Sequence, residues 1–503
     1  MGRAANLRLF ELTEESQPAH EGKDVEINGL TSDSRDVRPG YLFAALDGSR
    51  ARGADFIPEA LRRGAAAVLA PTGITLATAA PNAAANAATL ITDDIPRRRF
   101  AEMAAHFFAR QPRTIAAITG TNGKTSTATF LRELWRGAGR RASSLGSLGV
   151  EGDGPVSAAA LTTPDPVALH RTLAALAEAD VAHCALEASS HGLDQYRLDG
   201  VRLVAAAFLN LTRDHLDYHR DLESYFAAKT RLFSDVMAPG GDAILNRESP
   251  YSRRLADICR ARGHRVLWFG AGGDGDKCDI RLVARADEDF GQRITLDLLG
   301  KTYELILSLR GAFQVSNLMA AAGLAIATGM SADEIAAGLP MLTGVRGRLE
   351  LVSRLANGAP VFVDYAHTPD ALSAALNALR PSSSGRLIVM FGCGGDRDAG
   401  KRPLMGEVAA DLADVVFVSD DNPRNEDPAT IRREILAACP DAIEIDGRGE
   451  AIAAAIAEMR QDDVLLIAGK GHEQGQIIGE RTIPFDDGET ARRAVMAQSR
   501  ASS

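Results

Sequence analysis

Residues 119–126, TGTNGKTS, join the apolar run TIAAI to a helical stretch through two glycines and a Gly-Lys-Thr triplet. Residues of these types at this spacing suit a phosphate. Gly120 and Gly123 let the backbone turn so that amide N–H groups and a helix N-terminus face the anion. Lys124 then reaches the β- and γ-phosphates of a nucleotide, and the Thr125 hydroxyl can ligate Mg²⁺. The spacing departs from a full Walker A, because Gly120 stands three residues before Gly123 rather than five, and residue 118 is isoleucine. A glycine turn without function is the bland alternative, but the strand–loop–GKT–helix context favours an ATP site, with Thr121, Asn122 and Ser126 completing the loop.

Two further groups can build a metal cluster beside it. Glu187 closes the run VAHCALE, and a carboxylate at the C-terminal end of a strand lies where open α/β sheets bind ligands. His215 follows the next apolar run, in NLTRDHLDYH, and His191 and His219 compete with it. A lone histidine is more often a satisfied structural group. Phosphoryl chemistry needs a divalent cation, however, and the position after a strand favours a ligand.

The elements that must position these groups show in the hydropathy pattern. Residues 1–112 hold strand-like runs, YLFAAL, AAAVLA and TLITDDI, an Ala-rich surface loop over 70–88, and a helix in RRRFAEMAAHFFARQP that stops before Pro112. Residues 113–343 alternate buried strands with helices: TIAAITG, VAHCALE, VRLVAAAFLN, GGDAILN and RVLWFG suit a parallel sheet covered on both faces. The stretch 280–309 alternates instead and predicts antiparallel strands, followed by a helix in VSNLMAAAGLAIATG. Residues 344–503 resume the parallel pattern with APVFVDYA, RLIVMFGC, DVVFVSD and DVLLIAGKG. Three α/β domains are expected, which a chain of 503 residues can fill.

A net charge of −10 argues against general nucleic-acid binding. Five scattered cysteines without a CxxC pair fit a reducing compartment and no zinc site. Arg8 and Glu11 interrupt the N-terminal apolar run, so no signal-peptide core is read there. No apolar run approaches the roughly 20 residues a membrane span needs. A cytoplasmic monomer is expected.

Taken in order, TGTNGKTS, LTTPDP, EASSHGL, NLTRDHLDYH, AAKTRLF, QVSNLMAA, GVRGRLE, DYAHTPD and GCGGDRDAGKRPLM resemble the Mur ligases, and DSRDVRPGYLFAAL extends the likeness to the N-terminal block. The resemblance implies a uridine-nucleotide-binding domain, a central P-loop ATPase domain and a Rossmann-like C-terminal domain. It implies that ATP phosphorylates the D-glutamyl γ-carboxylate of UDP-N-acetylmuramoyl-L-alanyl-D-glutamate, and that an amine attacks the acyl phosphate. Thr125 and Glu187 would hold Mg²⁺ on the nucleotide and His215 a second ion. By residues alone, Lys229 is a surface residue on an amphipathic helix. The AAKTRLF match implies instead a lysine carbamylated by CO₂ beside the metal and the UDP-substrate. Ser34 would meet the uracil end, and Thr162, Thr163, Ser189, Gln195 and Arg197 the diphosphate, sugar and peptide. Asn317, Arg348 and Asp364 would hold adenine, ribose or phosphate as the C-terminal domain closes; a hinge-loop salt bridge is the plainer role for Arg348.

The segment DDNPRNEDP resembles the members that add meso-2,6-diaminopimelate. That amino acid differs from lysine by a distal carboxylate, which an arginine fork clamps bidentately. Arg424 would do so, with Arg397, Asp421, Asn422, Pro423, Gly469 and Glu473 completing the pocket and Glu473 facing the distal ammonium. The competing readings are a relative that adds lysine, D-alanyl-D-alanine or glutamate, and a P-loop regulator without catalysis. Cys393 lies in the same loop region with no chemistry assigned to it.

Overall fold

Apolar runs of five or six residues with no polar alternation require cover on both faces, and such runs set the layers here. The computed structural model describes residues 7–13, 23–48, 51–80, 88–158, 161–272, 277–288 and 291–501. Strand Thr114–Thr119 lies between His183–Glu187 and Leu203–Phe208, all parallel. Beyond His183–Glu187 the sheet continues to Ala142–Gly146 and the antiparallel edge Gly149–Gly152. In the other direction it passes through Asp242–Asn246 and Arg265–Gly270 to Ile280–Glu288, Gly291–Leu298 and Lys301–Leu307. Those last three form the antiparallel meander that the alternation over 280–309 predicts.

Helices cover both faces of this sheet. Phe130, Leu131 and Trp135 of Lys124–Gly137 pack with Val315 and Leu318 of Ala312–Ala327 on one side. Leu169 and Leu173 of Pro166–Glu178 join Tyr225 and Phe226 of Leu222–Arg231 on the other. The strand order reverses at Thr114–Thr119, so a crevice opens at the C-terminal ends of the strands beside it. The phosphate loop, Glu187 and the segment carrying His215 all emerge there.

Two smaller sheets flank this one. Gly29–Thr31, Tyr41–Ala44, Ala67–Pro71 and Thr89–Asp93 are parallel and packed against helix Pro96–Phe108. At the other end, Pro360–Asp364, Val464–Ala468, Leu387–Phe391, Val415–Val418 and Ile443–Glu444 are parallel, with Glu350–Arg354 antiparallel at one edge. The fold is thus three α/β domains with mostly parallel sheets. The Ala-rich stretch 70–88 is not all loop: Pro71 ends a strand, and Leu76–Ala79 is a short helix with a Thr75 capping box. Residues 81–87 of that stretch lie outside the described residues, as do the first six of the chain.

Candidate functional site

Gly123 adopts φ +92°, and a Cβ there would overlap the Asn317 amide oxygen, so the loop's turn and its close approach to helix Ala312–Ala327 both require glycine. The following helix begins at Lys124 and points its N-terminus at the crevice. Lys124 Nζ donates to the Gly120 and Thr121 carbonyls, both at 2.9 Å. Burial pulls its pKa below the ordinary lysine value, against the charges of Glu187 and Asp214.

Thr125 sits where three parts of the chain meet. Its hydroxyl donates to Glu187 Oε2 at 3.1 Å and accepts from Arg348 Nη2, also at 3.1 Å. Glu187 Oε1 accepts from the Ser147 amide at 2.9 Å, and a Cβ on Gly146 would overlap this carboxylate. Burial raises the Glu187 pKa, while Lys124, the Ser147 amide and Arg348 oppose that shift. Arg348 also stacks its guanidinium 4.3 Å over the Tyr365 ring. Arg348 thereby reaches from the C-terminal domain to the phosphate loop, a contact compatible with a hinge role as well.

The three candidate histidines are brought together. His215, in left-handed backbone at φ +54°, lies 4.8 Å ring to ring from His191, and His191 lies 5.5 Å from His219. His215 Nε2 and His367 Nε2 flank Asp214 Oδ2 at 3.4 and 3.6 Å. Burial pushes His215 down to about 3 despite Asp214, so its imidazole is neutral with a lone pair available. Burial opposes the charge of Asp214, but its hydrogen bond with His367, above all, holds its carboxyl well below the usual range. Among the described residues, no group of three His, Cys, Asp or Glu side chains converges as a metal site. The oxygens of Thr125 and Glu187 would then have to be joined by other donors.

Lys229 is buried, at 1% exposure, and is not the surface residue that its helix pattern suggests. The helix turns this position inward beside the phosphate loop, where Nζ donates to the Gly120 carbonyl at 2.8 Å and lies 4.5 Å from the Tyr225 ring. Burial and the neighbouring Lys124 charge hold its pKa well below the ordinary lysine value. Its surroundings thus favour the uncharged amine more than a surface position would.

A cleft beside the phosphate loop is lined by Asn122, Ser126 and Asn317 on one side and by Asp364, Tyr365 and Ala374 on the other. Asp364 accepts from the Leu349 and Ala366 amides at 2.6 and 2.7 Å, and burial pushes its carboxyl up to about 6 against Arg348.

Thr162, Thr163, Ser189, Gln195 and Arg197 form one connected patch. Arg197 donates to the Thr163 carbonyl at 2.7 Å and to Gln195 Oε1 at 2.7 Å. Thr163 Oγ1 accepts from the Ser189 amide at 3.0 Å, and Thr162 Oγ1 meets Ser147 Oγ at 2.9 Å. Ser34 stands apart: its buried hydroxyl turns inward to Glu59 at 3.2 Å, while its neighbours Ser32 and Asp33 line the cleft toward Asp165 and Arg171.

The C-terminal residues also assemble. Arg424, at φ +51°, donates through Nη1 to the Gly395 carbonyl at 2.8 Å. Burial and Arg397 lower its pKa. Asn422 Nδ2 donates to Glu473 Oε2 at 2.9 Å, and Asp421 and Pro423 are buried beside it. Gly469, at φ +116°, faces Asp421 and Arg448. Arg397 is exposed and donates to the Asp396 carbonyl at 2.8 Å. Cys393 is buried 3.6 Å from Met405 Sδ, and burial pushes its thiol up to about 12, so it is inert.

Sequence reasoning missed Ser147, Asp214, Tyr365, His367 and Lys470. Four of these lie inside motifs already quoted, where only a three-dimensional contact distinguishes them; Ser147, in SLGSLGV, carried no signal.

Comparison with known proteins places this site in context. Family descriptions match in chain order: the Mur ligase catalytic domain at residues 26–111, the Mur ligase middle domain at 118–325, and the Mur ligase glutamate ligase domain at 347–471. A UDP-N-acetylmuramoyl-L-alanyl-D-glutamate–2,6-diaminopimelate ligase of Bradyrhizobium diazoefficiens is 50% identical over 477 residues, covering 94% of this chain and 96% of that protein. A solved structure of a ligase of the same description superposes with a TM-score of 0.70 at 31% identity, over 98% of this chain and 100% of that one. A MurF ligase of Thermotoga maritima, solved in complex with ADP, shares the fold with a TM-score of 0.63 at 17% identity, over 94% of this chain and 98% of that one.

Proposed function

This chain belongs to the Mur ligase family, and from that premise we propose that it adds meso-2,6-diaminopimelate to the D-glutamyl γ-carboxylate of UDP-N-acetylmuramoyl-L-alanyl-D-glutamate at the expense of ATP. The names of relatives about half identical over nearly the whole chain support this reading. The observation that carries it is the C-terminal pocket: Glu473 lines the same cleft as Ser147 and Thr162 of the central domain, and Asn422 and the Arg424 turn stand behind it. Glu473 thus offers an anion to one charged group of the amino-acid end, and the Arg424 guanidinium behind it would meet the other.

The residues divide the work. Lys124 and the loop amides hold the phosphates, Arg348 reaches the same point from the C-terminal domain, and Asn317 and Asp364 face the nucleoside. The substrate carboxylate oxygen attacks the γ-phosphorus, the bond to the β-phosphate oxygen breaks and ADP leaves. The amine then attacks the acyl carbon, inorganic phosphate departs with its C–O electron pair, and the ammonium sheds a proton. Mg²⁺ would neutralise the phosphates and the approaching carboxylate, held by Thr125, Glu187, His215 and a carbamate on Lys229. Two features fit such an ion: the Thr125–Glu187 oxygen pair, and beside the phosphate loop a buried amine whose pKa is lowered, which favours uptake of CO₂. Thr162, Thr163, Ser189, Gln195 and Arg197 would hold the diphosphate, sugar and peptide, with the uracil end near the Ser34 turn.

The domain limits proposed with this reading are 1–112, 113–343 and 344–503, in a cytoplasmic monomer. Among the described residues no helix is long and apolar enough to cross a membrane. The test is phosphate release coupled to product formation with UDP-substrate and ATP, run with diaminopimelate, with lysine and with neither. Release that depends on diaminopimelate supports the assignment. Equal use of lysine removes the substrate and leaves the ligase, and no release with either removes both.

A further inference from the structure

Lys470 was not among the residues that motif reasoning selected, yet its side chain is the node of the C-terminal pocket. It is 0% exposed. Its Nζ donates to Asn422 Oδ1 at 2.8 Å and to the Gly475 carbonyl at 2.7 Å, and lies 3.4 Å from both Glu473 Oε2 and Asp421 Oδ1. One ammonium therefore ties together the Asp421–Arg424 turn, Glu473 and the start of the hairpin strand Gly475–Ile478.

These contacts settle two orientations. Asn422 Oδ1 accepts from Lys470 and from the Ile477 amide at 3.0 Å, so its Nδ2 must face Glu473 Oε2. Glu473 Oε2 is thereby occupied, and Oε1 takes no protein hydrogen bond among the described residues, which leaves it for a ligand. The hairpin in turn holds Arg424 in its left-handed backbone: the Arg424 amide donates to the Ile477 carbonyl at 3.0 Å and its carbonyl accepts from Gly479 at 2.7 Å. Both the anion and the cation of the pocket are thus fixed through groups that Lys470 holds.

We propose that Lys470 is a positioning residue that sets amino-acid specificity, by pinning Asn422, Glu473 and the hairpin so that one Glu473 oxygen and Arg424 face the two charges of the incoming amino-acid end. This rests on the diaminopimelate reading above. Without the ammonium, the Asp421 and Glu473 carboxylates lose the cation they share, with Arg424 and Arg448 left to offset them, and the Asn422 amide loses one of the two donors that orient it. Loss of a buried hydrogen-bond partner of this kind weakens a site by about 10- to 100-fold.

The experiment is steady-state kinetics of the full-length enzyme with Lys470→Met, Glu473→Gln and the double variant, varying amino acid, ATP and UDP-substrate separately. Lys470→Met is expected to raise KM for diaminopimelate about 10- to 100-fold and to narrow its preference over lysine. KM for ATP and UDP-substrate should stay within about twofold, since their sites are on other elements. Because Lys470 acts in part through Glu473, the double variant should lose less than the product of the two single losses. Should Lys470→Met fail to fold, the double variant, which removes the facing charge as well, is compared with Glu473→Gln. An amino-acid KM within about threefold of wild type overturns the proposal, as do fully additive losses or an equal rise in all three KM values. A wild-type enzyme that uses lysine equally well fails the diaminopimelate reading, whereas the variant's effect on KM for whichever amino acid is used still decides the role of Lys470.

Discussion

Replacing Lys229 by alanine tests the least obvious assignment in the site. CO₂ adds only to a neutral amine: the nitrogen lone pair forms the N–C bond, a proton leaves, and an anionic carbamate remains. At an ordinary lysine pKa, roughly one amine in 2,500 is neutral at pH 7, and each unit of depression raises that fraction about tenfold. Lys229 is depressed well below the ordinary value by burial and by Lys124, so the population able to react is larger than at a surface lysine. Once formed, the anion would stand by Gly120, next to the phosphate loop. Removing one preorganised charged group at such a site costs about 3–4 kcal/mol, or a 10²- to 10³-fold fall in kcat. Lys229→Ala is therefore expected to lose activity on that scale in a coupled phosphate-release assay and to regain part of it with millimolar formate or acetate. Wild-type enzyme in CO₂-depleted buffer should lose activity that bicarbonate restores. A mutant at wild-type rate refutes the reasoning. So does rescue by a small alkylamine and not by a carboxylate, because that outcome would mean the lysine works as a cation.

Lys124→Ala should abolish turnover, by about 10²-fold or more, while calorimetry finds UDP-substrate binding within about twofold of wild type, because the Arg197–Thr163 patch does not share its contacts. Arg424→Ala should lower kcat/KM for diaminopimelate by a hundredfold or more, the loss on the order of 2–5 kcal/mol that follows removal of one partner from a desolvated charge pair; KM values for ATP and UDP-substrate should hold. Arg213 pairs with Asp398 across the domain boundary at 2.9 and 3.1 Å, and because Arg213 is 41% exposed its loss should cost only about 0.5–1 kcal/mol. Small-angle scattering should show a smaller radius of gyration with ATP analogue and UDP-substrate together, and Arg213→Ala should need several-fold more ligand to reach it. No compaction in wild type at saturation would sink domain closure.

The elements that sequence made visible are those whose composition answers to a single demand. Runs such as TIAAIT and LLIA are buried on both faces and contain little else, so period and length identify them. Strand Ala142–Gly146 was missed because its residues are small and polar, although all five are buried; its burial is dictated by neighbours, with Ser144 under helix Lys124–Gly137, where its hydroxyl accepts from Arg132 at 2.9 Å. The hairpin Gly475–Ile478 and Arg481–Pro484 was missed for a different reason, since its strands are mostly exposed and its role is to hold another loop. Lys229 shows where residue type misleads: it lies four residues after Tyr225 on the buried stripe that continues to Leu232 and Phe233, so spacing points it inward while a lysine by type is expected outside.

The contacts at Thr125 also bear on how an acyl phosphate could escape hydrolysis. Thr125 and Glu187 belong to the central sheet, whereas Arg348 follows the segment that leads into the C-terminal sheet, and the three meet within 3.1 Å. A few residues away, Asp214 of the central domain lies between His215 and His367, the latter from the C-terminal domain. Gly347 is packed so tightly against the Gly471–His472 backbone that no Cβ would fit, so the residue carrying Arg348 toward the phosphate loop is locked to the loop carrying Glu473. A movement that withdraws the amino-acid pocket must therefore also withdraw Arg348. On the proposed reading, phosphoryl transfer and amine delivery become competent in the same closed arrangement, and an enzyme lacking its third domain should neither hold nor use the activated carboxyl group.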